Sequence, residues 1–404
     1  MTIHILYLTA EPHPAFRADV HVLFGKYLPQ YGICSDIVAG KKTEDAQTAW
    51  GGGNTYLCDI TGGTEKRNLK ILLHGIKCLF KADKNNYQAI QVRDMPLLAI
   101  IGLLASRIKK IKFFYWMSYP VPDGKILQAR QRGLSEGLHK FLLPWIKGHV
   151  GHFLLYRMAL PMADHVFVQS EQMKRDLVRY GINPEKMTPV PMGVDIESLQ
   201  DLNIRPINDS RLAGKRVLVY LGTFDHPRRI EILFDMLVAI KQHIPNILLV
   251  LVGDDVDDAV QRQWLKMKAD EAGINGHLIW TGWLPMSEGW RYVRSAEVGL
   301  SPFPRGYLLD SASPTKLPEY LALGVPVVCN DNPDQQQIIR QTGAGLCVPY
   351  SAEEFADAVI ALLAMDKSQR NNMAITGRDY VNQHRNYRNI ACNLADAYKK
   401  LFLS

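Results

Sequence analysis

The chain of 404 residues has no apolar run near the roughly 18 residues that a membrane-spanning helix requires, so no transmembrane helix is expected. Its start, Met-Thr-Ile-His-Ile-Leu-Tyr-Leu-Thr, lacks the basic leading region of a secretory signal and reads as a first strand. Cysteine is scarce: Cys34, Cys58, Cys78, Cys329, Cys347 and Cys392, with no Cys-x-x-Cys pair. That argues against a disulfide framework and suits small core residues of a reduced, cytosolic protein. The twelve histidines include no His-Glu-x-x-His, so neither structural nor catalytic zinc is expected. No nucleic-acid motif accompanies the basic residues, so no nucleic acid is expected as a partner.

What is present is an ordinary globular balance, 47% hydrophobic and 22% charged, in a length that fits two domains of about 200 residues. The net charge of +7 is placed unevenly. Residues 101–160 hold ten Lys or Arg against only Asp123 and Glu136. Much of that surplus lies in Lys125–Tyr156, interleaved with Phe141, Leu142, Trp145 and Phe153. Such a segment suits a helix lying on an anionic bilayer, with Lys140, Trp145, Lys147 and Arg157 in contact. It also suits an inter-domain or core helix with a solvated basic face. The expected location is the cytoplasm, at the inner face of the plasma membrane if that contact is made.

Apolar strands alternate with helices throughout. In the first half strands are expected at Ile3–Leu8, Ile33–Val38, Tyr87–Val92, Ile111–Trp116 and His165–Val168. Helices are expected at Ala15–Tyr31, Asn68–Lys81, Pro96–Ile108 and Glu171–Tyr180. Asp195–Lys215 reads as a linker. A second series has strands at Arg216–Gly222, Ile247–Gly253, His277–Gly282, Val298–Leu300, Val325–Val328 and Gly345–Pro349. Helices follow near Ala352–Met365, Lys367–His384 and Asn389–Phe402. The alternation predicts an α/β fold with two mostly parallel, doubly wound sheets. Ligands bind such sheets beyond the carboxyl ends of the strands.

In the first half those ends carry His13 and Arg17, then Arg93 and Asp94, then Ser118 and Tyr119. All six are candidates for one crevice, and each charged member could equally be a solvated loop residue. Trp50-Gly-Gly-Gly-Asn54 has no strand–helix context and reads as a flexible loop.

In the second half one stretch, Ser301 to Val328, holds the most chemistry. Val298–Leu300 is a strand, a polar loop with Gly and three Pro follows, and Ser313-Pro314 has the form of an N-cap with proline at the first helical position. Lys316 and Glu319 ride on the helix that follows. A helix start with free N–H groups and a Lys suits a phosphate, and a carboxylate one turn on can accept from a ribose diol.

Ser-Pro-Thr-Lys-Leu-Pro-Glu-Tyr-Leu-Ala-Leu-Gly-Val-Pro-Val-Val resembles the donor-binding helix of family 4 glycosyltransferases with the GT-B fold. Val190-Pro-Met-Gly-Val-Asp195 is similar to the turn that ends that family's first domain. The resemblance implies two Rossmann-like domains facing a central cleft: 1–200 for the acceptor, 201–385 for the nucleotide sugar, and 386–404 as a helix returning to the first. It implies that Glu319 holds a ribose and that Arg228, six residues after Gly222, binds the diphosphate with Lys316. Gly222, Thr223, Ser313, Pro314 and Thr315 would line the donor, and Trp283 would lie against the base. The family usually has a second Glu where Ser311 stands; Asp310 is adjacent and could substitute. It also often has a Gly-rich turn after strand one and a His near Ser118, and neither is present.

The implied reaction moves a sugar from a UDP- or GDP-linked donor to a glycan or lipid-linked acceptor, with retention and without metal or other cofactor. The acidic pair Asp254-Asp255 is the sequence feature that bears against metal independence. Other readings are a nucleotide-sugar epimerase, a sugar phosphorylase, or a non-catalytic membrane-docked scaffold.

Overall fold

The computed structural model describes residues 2–41, 49–133, 137–254 and 259–403. The chain divides into two compact units, one of residues 1–192 with 387–404, the other of residues 193–386.

The first unit is a seven-stranded sheet in the order β3-β2-β1-β4-β5-β6-β7. Its strands are β1 (Ile3–His13), β2 (Ile33–Lys41), β3 (Thr55–Asp59), β4 (Ala89–Arg93), β5 (Lys112–Met117), β6 (His165–Val168) and β7 (Met187–Pro189). Every pairing is parallel. Strands β1, β4, β5 and β6 are buried along most of their length because both sheet faces are covered. On one face pack α1 (Thr64–Lys81), α2 (Pro96–Lys109) and the segment after α4 (Leu138–His152), through Leu79, Leu98, Leu103, Leu155 and Tyr156. On the other pack a π-helical turn, Asp19–Tyr27, and the last helix, Tyr387–Leu403. A further helix, α3 (Val121–Arg132), precedes α4.

The Trp50–Asn54 segment is not a loose loop. The Trp50 indole donates to the Ser35 carbonyl at 2.6 Å, and a Cβ at Gly51 would come within 2.2 Å of the Gly25 carbonyl oxygen. The glycines are there because the backbone packs against its neighbour.

The second unit is a six-stranded sheet in the order β10-β9-β8-β11-β12-β13. Its strands are β8 (Arg216–Leu221), β9 (Ile247–Val252), β10 (Leu278–Gly282), β11 (Val298–Ser301), β12 (Val327–Asn330) and β13 (Gly345–Val348), again all parallel. The order reverses between β8 and β11. In a doubly wound sheet that switch point opens a crevice at the strand ends.

Candidate functional site

Lys316 and Arg228 come from the two loops at that switch point. Tyr220, fully buried at the end of β8, is the hub. The Lys316 ammonium donates to its hydroxyl at 3.2 Å and sits 4.4 Å from its ring centroid. The hydroxyl in turn donates to the Thr223 carbonyl at 3.1 Å. Gly222 follows with φ at +152°, and a Cβ there would sit 3.4 Å from the Lys316 ammonium. Glycine thus serves the backbone angle, with the lysine end in ordinary contact distance of the position.

Arg228 closes a short 3-10 turn, His226–Arg228. Its Nε donates to Asp225 at 3.3 Å, and Asp225 also accepts from the exposed Thr223 hydroxyl at 2.6 Å. The guanidinium carbon lies 5.1 Å from the Phe303 ring, which comes from the loop after β11. Burial first, and then the charge of Arg228, pull the Lys316 pKa down to about 7. Two cations share a small volume there, with Asp225 and Glu319 only partly offsetting them.

Lys316 begins the helix Lys316–Ala322, whose N-cap is Thr315. The Ser313-Pro314 cap read from the sequence is therefore displaced by two residues. Ser313 is diverted because its hydroxyl donates to Asp334 at 2.8 Å and accepts from Arg385 at 3.2 Å. Arg385 and Asp334 form a buried ion pair at 2.6 Å. Tyr320 fixes the helix to the sheet: its hydroxyl accepts from the Leu221 N–H at 2.7 Å and donates to the Leu300 carbonyl at 3.3 Å. Glu319 lies one turn on, with its pKa pushed up to about 7, mainly by burial and against the pull of Lys316. The Trp290 indole N–H lowers it slightly, yet meets no partner in standard hydrogen-bonding geometry.

Pro314 is buried beside Ser313, and Trp283 is 58% exposed on the loop after β10. Asp310 accepts from Arg305 at 2.7 Å, and Arg305 also pairs with Asp331. Ser311 is buried and donates to the Leu308 carbonyl at 2.9 Å. Asp254 pairs with Arg262 at 2.9 Å. Asp255, within the stretch Asp255-Val256-Asp257, lies outside the described residues. Among the described residues no cluster of three or more His, Cys, Asp or Glu could hold a metal ion.

In the first unit Arg17, Arg93, Asp94 and Ser118 meet in one network. Arg93 is 1% exposed and donates to Asp19 at 2.8 Å, to Glu11 at 3.1 Å and to the Ser118 hydroxyl at 3.0 Å. Asp94 accepts from the Ser118 N–H at 2.9 Å and the Tyr119 N–H at 3.4 Å, and also from the Ser118 hydroxyl. Burial raises its pKa against the pull of Arg93. Burial also opposes ionisation of Asp19, but Arg93 and then Arg17 override it and leave its pKa below the ordinary value. His13 lies edge-on to Trp50, with ring centroids 6.1 Å apart.

Of the basic–aromatic residues, Trp145 is 39% exposed on α4 and Arg157 is exposed beyond its end. Lys147 instead pairs with Glu65 of α1 at 2.6 Å, and the Lys140 side chain lies outside the described residues. No described helix is long and apolar enough to cross a membrane.

Sequence reasoning missed Tyr220, Asp225, Phe303, Tyr320, Asp334 and Arg385. Tyr220 alone carried a signal, two places before Gly222 at the strand end. The others join through tertiary contacts that no local pattern encodes.

The family model for glycosyl transferases group 1 matches residues 206–380, and that for glycosyltransferase family 4 matches residues 22–198. Together they span well over half of the chain. A sucrose-phosphate synthase from Thermosynechococcus elongatus is similar in structure at a TM-score of 0.73 and 18% identity, with 100% of each chain covered. Anabaena HepE in complex with UDP and glucose gives a TM-score of 0.70 at 15% identity, covering 98% of this chain and 99% of that one. WaaG, a glycosyltransferase involved in lipopolysaccharide biosynthesis, gives 0.65 at 14% identity, covering 98% and 99%. Among curated proteins no match was found.

Proposed function

The chain belongs to the family 4 glycosyltransferases of the GT-B fold, and on that premise we propose that it transfers a sugar from a nucleoside-diphosphate donor seated against Arg228 and Lys316. The observation that carries this reading is the convergence of two cations at the β8–β11 switch point, one of them buried and with its pKa pulled down to about 7. A second positive charge in a dry site is costly unless an anion joins it. A diphosphate supplies that anion.

Glu319 accepts from the ribose diol, and Gly222, Thr223, Ser313, Pro314 and Thr315 line the donor. Trp283 offers a face to the base, and Asp310 stands where the transferred sugar would be sought, already engaged by Arg305. The anomeric C–O bond to the diphosphate breaks, and a new bond to an acceptor oxygen forms with retention. The acceptor proton passes to the leaving phosphate. Arg228 and Lys316 hold the charge that develops there, so no metal is required. UDP is the favoured base carrier, because the similar HepE is a UDP complex; GDP is the other candidate.

His13, Arg17, Arg93, Asp94, Ser118 and Tyr119 mark the acceptor side. The acceptor is a glycan, or a lipid-linked one if the exposed residues of α4, Trp145 among them, meet a membrane.

Thermal-shift titration with UDP-, GDP- and ADP-sugars tests the donor, and product analysis with and without acceptor tests transfer. Stabilisation by UDP-sugars that disappears in Lys316→Met, with activity retained under chelator, supports the reading. Product formed from donor without acceptor would make the protein an epimerase instead.

A further inference from the structure

The helix Met286–Arg294 packs against the carboxyl ends of β8 and β9. A Cβ at Gly289 would lie 3.2 Å from Leu221 Cδ1 and 3.3 Å from Val252 Cγ1, the last residues of those two strands, so the helix runs close against them. It is also tied to the Lys316 helix. The Arg294 guanidinium donates at 2.7 Å to the carbonyl of Leu323, the residue that caps that helix. Trp290 and Tyr292 sit in the same core cluster as Leu317, Tyr320 and Leu321.

The polar side chains next to Trp290 are engaged. Arg291 pairs with Glu288 at 3.0 Å, and the Tyr292 hydroxyl donates to Asp209 at 3.0 Å. Trp290 differs. It is 8% exposed, and its indole N–H is shielded from water without a hydrogen-bond partner. A buried donor left unpaired bears the full cost of its desolvation, so a buried Trp N–H usually has an acceptor. Phenylalanine would fill much of the same space without that cost.

The acceptor within reach is Glu319. The Trp290 N–H favours the ionised form of that carboxyl, although the two are not in standard hydrogen-bonding geometry. Ionisation is what would close the bond, because a hydrogen bond to a charged acceptor is roughly twice as strong as one between neutral groups. An ionised carboxylate offers about four acceptor sites over its two oxygens. A ribose diol can use one side of it while the indole uses another.

We propose that Trp290 is a positioning residue for the donor ribose: its indole N–H closes onto the Glu319 carboxylate when the nucleotide's diol arrives, and holds that carboxylate for the two hydroxyls. This rests on the donor reading above and adds to it the group that fixes the ribose-binding carboxylate.

The test is calorimetric titration of the whole chain with UDP and with 2′,3′-dideoxy-UDP, which keeps the base and the diphosphate and lacks the diol. Trp290→Phe should bind UDP roughly tenfold more weakly than the wild type, the size of one hydrogen bond to a charged group, and should bind the dideoxy nucleotide as the wild type does. Its melting temperature without nucleotide should not fall, since the change removes an unpaired buried donor. In a Glu319→Ala background, adding Trp290→Phe should weaken UDP by less than about twofold. The wild type gives a reading that needs no variant to fold: the Trp290 indole signal in a nitrogen–proton correlation spectrum should move downfield with UDP and stay in place with the dideoxy nucleotide. Equal UDP affinity in Trp290→Phe and wild type, an equal loss for both nucleotides, or an indole signal indifferent to UDP would each overturn the proposal and leave the donor reading standing. A wild type that binds neither nucleotide would overturn the donor reading itself.

Discussion

Each unit buries a cation at the end of a parallel sheet, and the two are treated in opposite ways. Arg93 meets Asp19 and Glu11 within 3.1 Å and Asp94 at 4.0 Å. Its charge is matched, and its pKa is raised above the ordinary guanidinium value by those carboxylates against the effect of burial. The Lys316 ammonium donates to a neutral phenol, that of Tyr220, and has a second cation, Arg228, nearby. A matched cation is part of the scaffold, positioned by its partners. An unmatched one in a dry site marks where a ligand's charge belongs.

Substitutions at three positions set the contrast out by size. Arg93→Met leaves Asp19 buried without its main partner and should cost about 3–5 kcal/mol in urea unfolding. Lys316→Met should do the reverse, with melting unchanged or raised, because it removes a charge that burial disfavours. If both lose stability equally, the two cations are not different in kind. Arg228→Ala and Lys316→Ala should each lower kcat about 100-fold or more, the loss seen when one charge-stabilising group is removed. Near-wild-type turnover in either would dismiss the clamp.

Next in size is pH. Lys316 must be charged to hold a diphosphate, so donor binding should weaken as pH rises above about 7, its pKa in the empty site. Glu319 must be ionised to accept from a diol, so binding should also weaken as pH falls below about 7. Stability of the empty protein moves the other way. Between about 7 and 10.5 the unfolded chain keeps the Lys316 proton that the folded one has released, so stability rises with pH there. Asp19 behaves oppositely: its stabilisation holds above the ordinary carboxylate range and is lost as pH falls through its lowered pKa. Stability scans of Lys316→Met against wild type should erase the alkaline rise and keep the acid loss.

The smallest effect concerns the loop ahead of Lys316. Arg385 and Asp334 touch Ser313, three residues from the lysine, so they act as positioning residues. Asp334→Asn should raise the donor KM several-fold with little change in kcat, and Asp334→Glu should restore part of it. Equal losses in kcat and KM for both variants would make the pair purely structural.

Much of this was legible in the residues. Periodicity gave the alternation, the parallel sheets and most strands within a few positions, since buried parallel strands are nearly all apolar. It missed β3 and β7, the two edges of the first sheet. β3 is largely exposed and β7 is three residues long, so neither forms an apolar run. The sequence placed Arg228 and Lys316 on loops that the fold brings together. It misread the start of the Lys316 helix because the Ser313 hydroxyl is taken by residues far away in the chain, Asp334 and Arg385. It named Arg17, Arg93, Asp94 and Ser118 of this network but not the saturation of Arg93 by Glu11 and Asp19, which depends on how two loops meet.

Calorimetry in buffers of different ionisation enthalpy tests the central claim most directly. At roughly one pH unit above the Lys316 pKa, UDP binding to the wild type should draw a fraction of a proton from the buffer, as the incoming diphosphate restores the ammonium charge. Lys316→Met should show none of that uptake. Equal proton uptake in both proteins, or UDP binding of equal strength, would contradict the account.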